Sequence, residues 1–411
     1  MAYELTQEQQ ILRETVSEFA QSEIAPLASK IDEERTIPKD LLAKIVPFGL
    51  YSITVPPEFG GAGADFFSLV IAMEEISRAS ASVGAVLSYQ NAVVCEALSN
   101  SQNEDSKQLL PKLAAGSIGS FDLDSSREEP LSCKIENSTL IVNGSSEFVV
   151  GASLAEVFLV LGELKEKEHV IFAFSKDALP KDQFKVGEQR RLLGMRGCGA
   201  SSITFKGAKL PLKSLVYEVS KTKAELVKLL CKARLATASQ ALGIAQASID
   251  ASIKYAVERK QFNTKIGNFY AVQDMIASDS ISLETSRAQT YLAAKEMSSP
   301  SLEKDSSIAK ISASDAAVKA ARHSIRIHGG YGFTRDYPVE RCARDAHLTK
   351  IYNESNEDLK STIAKYLLVP IHFWYFAANY FLATFPVYLC KFNSLKIAMS
   401  LCCPKMILYR A

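Results

Sequence analysis

No Gly-rich phosphate loop occurs in the 411 residues: neither G-x-G-x-x-G nor G-x-x-x-x-G-K-(S/T) is present. A nicotinamide-type dinucleotide fold and a P-loop hydrolase are therefore unsupported. An excess of one charge is also missing. The 47 Lys and Arg against 46 Asp and Glu leave a net charge of +1, with no basic run, so nothing marks a nucleic-acid surface. The eight cysteines are scattered without a C-x-x-C pair or matching histidines. Metal binding is not expected, and a reducing compartment is. The opening MAYELTQEQQ has no apolar signal core and no Arg/Ser bias, and Tyr409-Arg410-Ala411 is no peroxisomal address. Residence in the cytoplasm or another reducing compartment is the expectation. No internal repeat is visible.

What is present divides the chain into four. Residues 1–116 read as helices: Leu12, Val16, Phe19, Ile24 and Leu27 form one apolar face, and Pro38 opens a further helix. The breaker cluster Val55-Pro56-Pro57-Glu58-Phe59-Gly60-Gly61-Ala62-Gly63 separates helices. Residues 117–216 read as a β domain. Its short β-type runs are 140–142, ending at the turn pair Asn143-Gly144, then 157–161, 170–174 and 203–205. Residues 217–365 return to helix, beginning with a long Ala/Ser-rich helix from about 224 to 259. Residues 366–411 form an apolar extension.

The most informative stretch is 326–359. Ile308, Ile311, Ser314, Val318, Ala321, Ile325 and His328 recur at helical spacing and stop at Gly329-Gly330, a natural helix end. Gly332 keeps the following turn small, so that a planar ligand or backbone can approach. Pro338 starts a new helix with Glu340 and Arg344 four apart on one face. The run Asp336 to Ala346, DYPVERCARDA, closely resembles the C-terminal signature of the acyl-CoA dehydrogenase family. So do Arg326-Ile327-His328-Gly329-Gly330-Tyr331-Gly332-Phe333 and, less closely, Ile351 to Asp358. The breaker cluster at 55–63 and the segment Arg259-Lys260-Gln261-Phe262 through Gln273 resemble the same family, with Asn263 at a family glycine and Tyr270 at a glutamine. About 360 of the 411 residues share the resemblance.

The resemblance implies an α+β multidomain fold: an N-terminal helical domain, a middle β domain and a C-terminal four-helix bundle, here with an extra apolar C-terminal segment. It implies an FAD-dependent oxidoreductase acting on the CH–CH group of an acyl-CoA thioester. It also implies a homodimer or homotetramer, and an electron-transfer flavoprotein as electron acceptor. Matched to the family pattern, the FAD-binding positions are Arg259, Phe262, Phe269, Arg326, Gly329 and Gly330, and Arg234 is the substrate-pocket arginine. Arginine suits pyrophosphate because its planar fork donates two charge-assisted hydrogen bonds.

Eight residues beyond Asp345, the position of the family's catalytic glutamate holds Asn353. An amide keeps the backbone N–H there and supplies no base. The alternative family location, just before the substrate arginine, holds Ala233. Glu354 is the best remaining carboxylate and the candidate base. The missing glutamate leaves two further readings open: a catalytically silent homologue with a binding or scaffold role, and another flavin reaction such as an oxygenase. In the extension, Tyr366 to Cys390 is a run of 25 residues without Asp, Glu, Lys or Arg. As a helix it would span roughly 37 Å, against about 30 Å for a bilayer core. A C-terminal membrane anchor through 366–390 and a segment buried against protein both remain open.

Overall fold

The computed structural model describes residues 4–124, 129–164 and 168–368. They belong to two units, divided after Lys360. In the second unit, residues 361–368 are helical; the apolar run proposed as an anchor lies outside the described residues from 369 onward. Among the described residues no helix is long and apolar enough to cross a membrane.

The first unit has a helical N-terminal part, a β-sheet middle and a helical C-terminal part. The N-terminal helices are α1 (Gln7–Phe19), α2 (Ala28–Glu34), α3 (Lys39–Ile45), α4 (Phe66–Ala79), α5 (Ala81–Tyr89), α6 (Glu96–Ser99), α7 (Glu104–Lys107) and α8 (Leu110–Ala114). Val16, Phe19 and Ile24 of the anticipated apolar face are buried, and α3 begins directly after Pro38. Helix α4 is buried nearly all round, which is the pattern of a helix covered on several sides.

The middle part is a seven-stranded sheet of β1 (Gly119–Asp122), β2 (Ser132–Glu136), β3 (Thr139–Val149), β4 (Val157–Glu163), β5 (His169–Ser175), β6 (Phe184–Gln189) and β7 (Ser201–Pro211). Its order is β1-β4-β2-β3-β7-β6, with β5 on β4. Phe158, Phe174, Phe184 and Phe205 pack at centroid separations of 5.0–5.8 Å. Asn143-Gly144 does not end a strand as expected. The pairing of β3 with β7 shifts register there and continues. Gly144 has φ 120°, so the glycine serves a bulge within the strand.

The C-terminal helices are α9 (Val219–Glu258), α10 (Tyr270–Lys295), α11 (Leu302–His328) and α12 (Val339–Ile351). Between α9 and α10 lies a small hairpin, β8 (Lys260–Gln261) against β9 (Thr264–Lys265). The buried face of α11 keeps Ser314, Ala321 and His328 of the anticipated stripe and departs from its larger members. Ala309, Lys310, Ala313, Ala317, Ala320 and Ser324 are buried, whereas Ile308, Ile311, Val318 and Ile325 are half-buried. The small side chains let α11 lie close against α9, so bulk is displaced to the flanks of the contact.

Buried polar links tie these parts together. Glu74 of α4 accepts from Arg287 Nε at 2.9 Å and from the Tyr291 hydroxyl at 2.8 Å. Arg344 of α12 donates twice to Asp32 of α2, at 2.9 and 2.7 Å, twice to Glu340, at 2.8 and 3.0 Å, and once to the Leu193 carbonyl. The long signature run is thus largely a structural junction between helices and sheet. Gly194 is fixed by that junction, because a Cβ there would lie 2.2 Å from the Arg344 carbonyl oxygen.

Candidate active site

Helix α12 ends at Ile351, and the chain turns through Asn353 and Glu354, both left-handed at φ 52° and 72°. Glutamate takes that conformation at a cost of about 1–2 kcal/mol, and asparagine more readily. Three contacts hold the turn. The Glu354 carboxylate accepts from Arg234 Nε at 2.7 Å and Nη2 at 2.9 Å. The Lys310 ammonium donates to the Glu354 carbonyl oxygen. Asn353 Nδ2 donates to Thr237 Oγ1 at 3.3 Å.

Arg234 is 2% exposed, and its remaining nitrogen donates to the Glu303 carbonyl and Ser307 Oγ. Lys310 is fully buried, and burial pushes its ammonium down to about 7, opposed by the Glu354 carboxylate. Neither Arg234 nor Glu354 is free in this arrangement. The arginine expected to serve substrate and the carboxylate expected to serve as base neutralise each other.

The Asn353 amide faces a polar cluster ringed by aromatics. The Tyr89 hydroxyl lies 3.1 Å from Thr237 Oγ1, which itself donates to the Ala233 carbonyl at 2.9 Å. Tyr89 is thereby the donor of the pair. Burial raises the Tyr89 hydroxyl well above the ordinary range, eased by contacts with Thr237, Gln240 and Asn353. Its ring packs on Tyr352 at 4.8 Å and Phe121 at 5.6 Å, and Phe148 meets Tyr352 at 6.1 Å. Tyr89 ends α5 just before a π-helical stretch, Gln90–Cys95, the kind of local widening that recurs at functional sites. Within it Gln90 accepts from the Gly119 N–H at 2.9 Å and so ties this corner to β1.

A second group of expected residues gathers at a cleft of about 450 Å³ lined by Tyr255, Arg259, His328, Gly329, Gly330 and Tyr331. The Arg259 guanidinium lies 5.8 Å from the Tyr331 ring centroid. Gly329 has φ 61°, and a Cβ on either Gly329 or Gly330 would meet nothing within 4 Å. The glycines therefore leave an open backbone floor rather than relieve crowding inside the chain. Gly332 is the opposite case: its Cβ would lie 2.4 Å from the Ile325 carbonyl oxygen, so backbone is what approaches there. Phe262 and Asn263 form the hairpin turn with φ 52° and 61°, the pair of left-handed residues a tight hairpin demands. This explains why asparagine replaces glycine at 263. Phe262 is 89% exposed and meets the half-buried Phe269 at 6.3 Å. Arg326 is exposed in the last turn of α11. An exposed guanidinium, an open diglycine floor and exposed rings fit the phosphates and planar groups of a dinucleotide cofactor.

The expected residues thus form two groups, Arg234 with Asn353 and Glu354, and Arg259 with Gly329 and Gly330. Lys310, Tyr89, Thr237 and Gln240 were not anticipated. Only Lys310 carried a signal, as a lysine on the buried side of an alanine-rich helix.

Residues 6–117 match the N-terminal domain of acyl-CoA dehydrogenase and residues 226–368 match the C-terminal domain. An acyl-CoA dehydrogenase of Bacillus subtilis (strain 168) is 36% identical over 377 residues, covering 89% of this chain and 99% of that protein. The chain belongs to the acyl-CoA dehydrogenase family. The butyryl-CoA dehydrogenase of Megasphaera elsdenii superposes with a TM-score of 0.83 at 25% identity, covering 90% of this chain and all of that one. A glutaryl-CoA dehydrogenase of Mycobacterium smegmatis, solved in complex with FADH2, superposes with a TM-score of 0.81 at 22% identity, covering 88% and 95%.

Proposed function

We propose that the protein is an FAD-dependent oxidoreductase acting on the CH–CH group of an acyl-CoA thioester. The observation that carries this reading is the cleft beside Arg259 and Gly329-Gly330, in a chain that matches the family over residues 6–117 and 226–368. Arg259, Arg326, Gly329 and Gly330 would hold the phosphates of FAD, with Phe262 and Phe269 alongside. When bound, FAD supplies the hydride-accepting chemistry. The exposed Phe262, Tyr270 and Phe333 favour a homo-oligomer, and an electron-transfer flavoprotein is the acceptor this family relation implies. Residence in the cytoplasm or another reducing compartment accords with five described cysteines that are all free and buried.

The residues around position 353 do a restricted version of the family's chemistry. The Asn353 N–H serves the thioester oxygen, lowering the cost of charge that develops there as the α-proton leaves. The Asn353 side chain has no useful proton affinity. Glu354 acts as the counter-ion of Arg234, and with Lys310 it fixes the left-handed turn that presents Asn353. Proton removal is therefore the slow step.

The test is a visible spectrum of the purified protein supplied with FAD, recorded anaerobically with a panel of acyl-CoAs. A flavin band that bleaches slowly with one of them supports the reading. Bound flavin that never bleaches favours a silent homologue or another flavin reaction. Folded protein that takes up no flavin sinks the redox reading.

A further inference from the structure

Gln240 stands apart from the other polar side chains of the site. It lies on α9 one turn beyond Thr237, is fully buried, and has its amide beside the Tyr89 hydroxyl. Beyond that contact with the Tyr89 hydroxyl, neither its nitrogen nor its oxygen makes a hydrogen bond of good geometry among the described residues, and it is the only described side chain with two such atoms. A buried amide without partners is costly, whereas a ligand that supplies one recovers that cost. The surrounding rings limit what that ligand can be. Tyr89, Tyr352, Phe121 and Phe148 crowd the space next to Asn353, and the Tyr89 hydroxyl is anchored to Thr237 rather than free to swing away.

We infer that the acyl end of this site takes a short acyl group bearing a hydroxyl or carbonyl near its tip, with Gln240 as the residue that recognises it. The inference rests on the acyl-CoA reading above and adds the substrate class. Sites built to hydrogen-bond a polar substituent reject analogues that lack it far more strongly than apolar pockets discriminate by size. An unsubstituted fatty chain would offer the Gln240 amide no hydrogen-bond partner, and a long one would have to displace the rings packed around Tyr89.

Calorimetric titration of the FAD-supplied full chain tests this with three probes: 4-hydroxybutyryl-CoA, pentanoyl-CoA and dodecanoyl-CoA. The first two have the same number of heavy atoms and differ only in hydroxyl against methyl. The expected result is preference for 4-hydroxybutyryl-CoA over pentanoyl-CoA by about tenfold or more, with dodecanoyl-CoA weaker still. Gln240→Leu should abolish the preference while leaving the melting temperature unchanged or higher, since it removes an unpaired buried amide. Gln240→Met serves as the second variant should leucine fail to pack. Equal binding of the two isosteres, equal binding of the long chain, or a preference that survives both variants would overturn the inference and leave the acyl-CoA reading standing. Failure of every CoA thioester to bind would overturn both.

Discussion

Glu354 closes a two-point ion pair on Arg234, with Nε at 2.7 Å and Nη2 at 2.9 Å from its carboxylate oxygens. Glycine would occupy the φ of 72° at this position without strain, whereas glutamate does not. The strained backbone is compensated by a charge partner for an arginine that is almost wholly buried.

Glu354→Gln should therefore destabilise the protein by about 2–3 kcal/mol. That is below the usual 3–5 for breaking a buried pair, because the Glu354 side chain keeps 29% exposure. Urea unfolding measures the loss. Unchanged stability together with abolished flavin bleaching would instead identify Glu354 as the base.

Asn353→Glu should accelerate the anaerobic bleaching of bound flavin by roughly 10²–10⁴, the usual worth of a positioned general base. Glutamate takes the φ of 52° at this position at a cost of about 1–2 kcal/mol more than glycine, as Glu354 already does next to it. Stopped-flow absorbance decides it, and no acceleration would mean that proton removal is not the slow step.

Gly194→Ala drives a methyl group to 2.2 Å from the Arg344 carbonyl oxygen, a backbone atom with no freedom to retreat. Overpacking of this kind costs about 1–3 kcal/mol. Thermal denaturation should show a lower transition. An unchanged melting temperature would mean that the 193–195 loop lifts freely from α12.

Stability should depend on pH through Asp345. Burial raises this carboxyl to about 6, opposed by the Met195 N–H and by Arg341 and Arg344, and reinforced by Asp32. A carboxyl raised in the folded state contributes stability that is complete below its ordinary value near 3.8 and is lost as pH rises through about 6. Relative to Asp345→Asn, the unmodified protein should lose on the order of 3 kcal/mol between pH 4 and pH 7. Unfolding curves of both at several pH values check this, and parallel pH profiles would refute it. Lys310, lowered to about 7 by burial, depends on pH at the other end. Its contribution is complete above its ordinary value near 10.5 and is lost as pH falls through 7.

Much of the fold was legible from local signals. The β runs at 157–161 and 170–174 became β4 and β5 because unbroken apolar stretches of that length suit a covered sheet. Pro38 and Gly329 marked helix boundaries because each restricts or frees φ in one particular way. The large members of the α11 stripe are only half-buried, because the alanines and serines that weigh little in a periodic pattern are what a close helix contact selects. The Glu354–Arg234 pair joins residues 120 apart in sequence, and no local pattern encodes it. Tyr89 and Gln240 were invisible for the same reason: each is an ordinary residue of a buried helix until α5, α9 and the turn after α12 come together.

Arg344 carries one more implication. Its guanidinium joins a helix near the start of the chain, a loop of the sheet and its own C-terminal helix. Parting α12 from α2 would take Asp32, 5% exposed, from its two-point partner and leave it only Arg196 at 3.5 Å. The first unit should melt in a single cooperative transition, and a fragment cut at either edge of the sheet should not hold its fold alone.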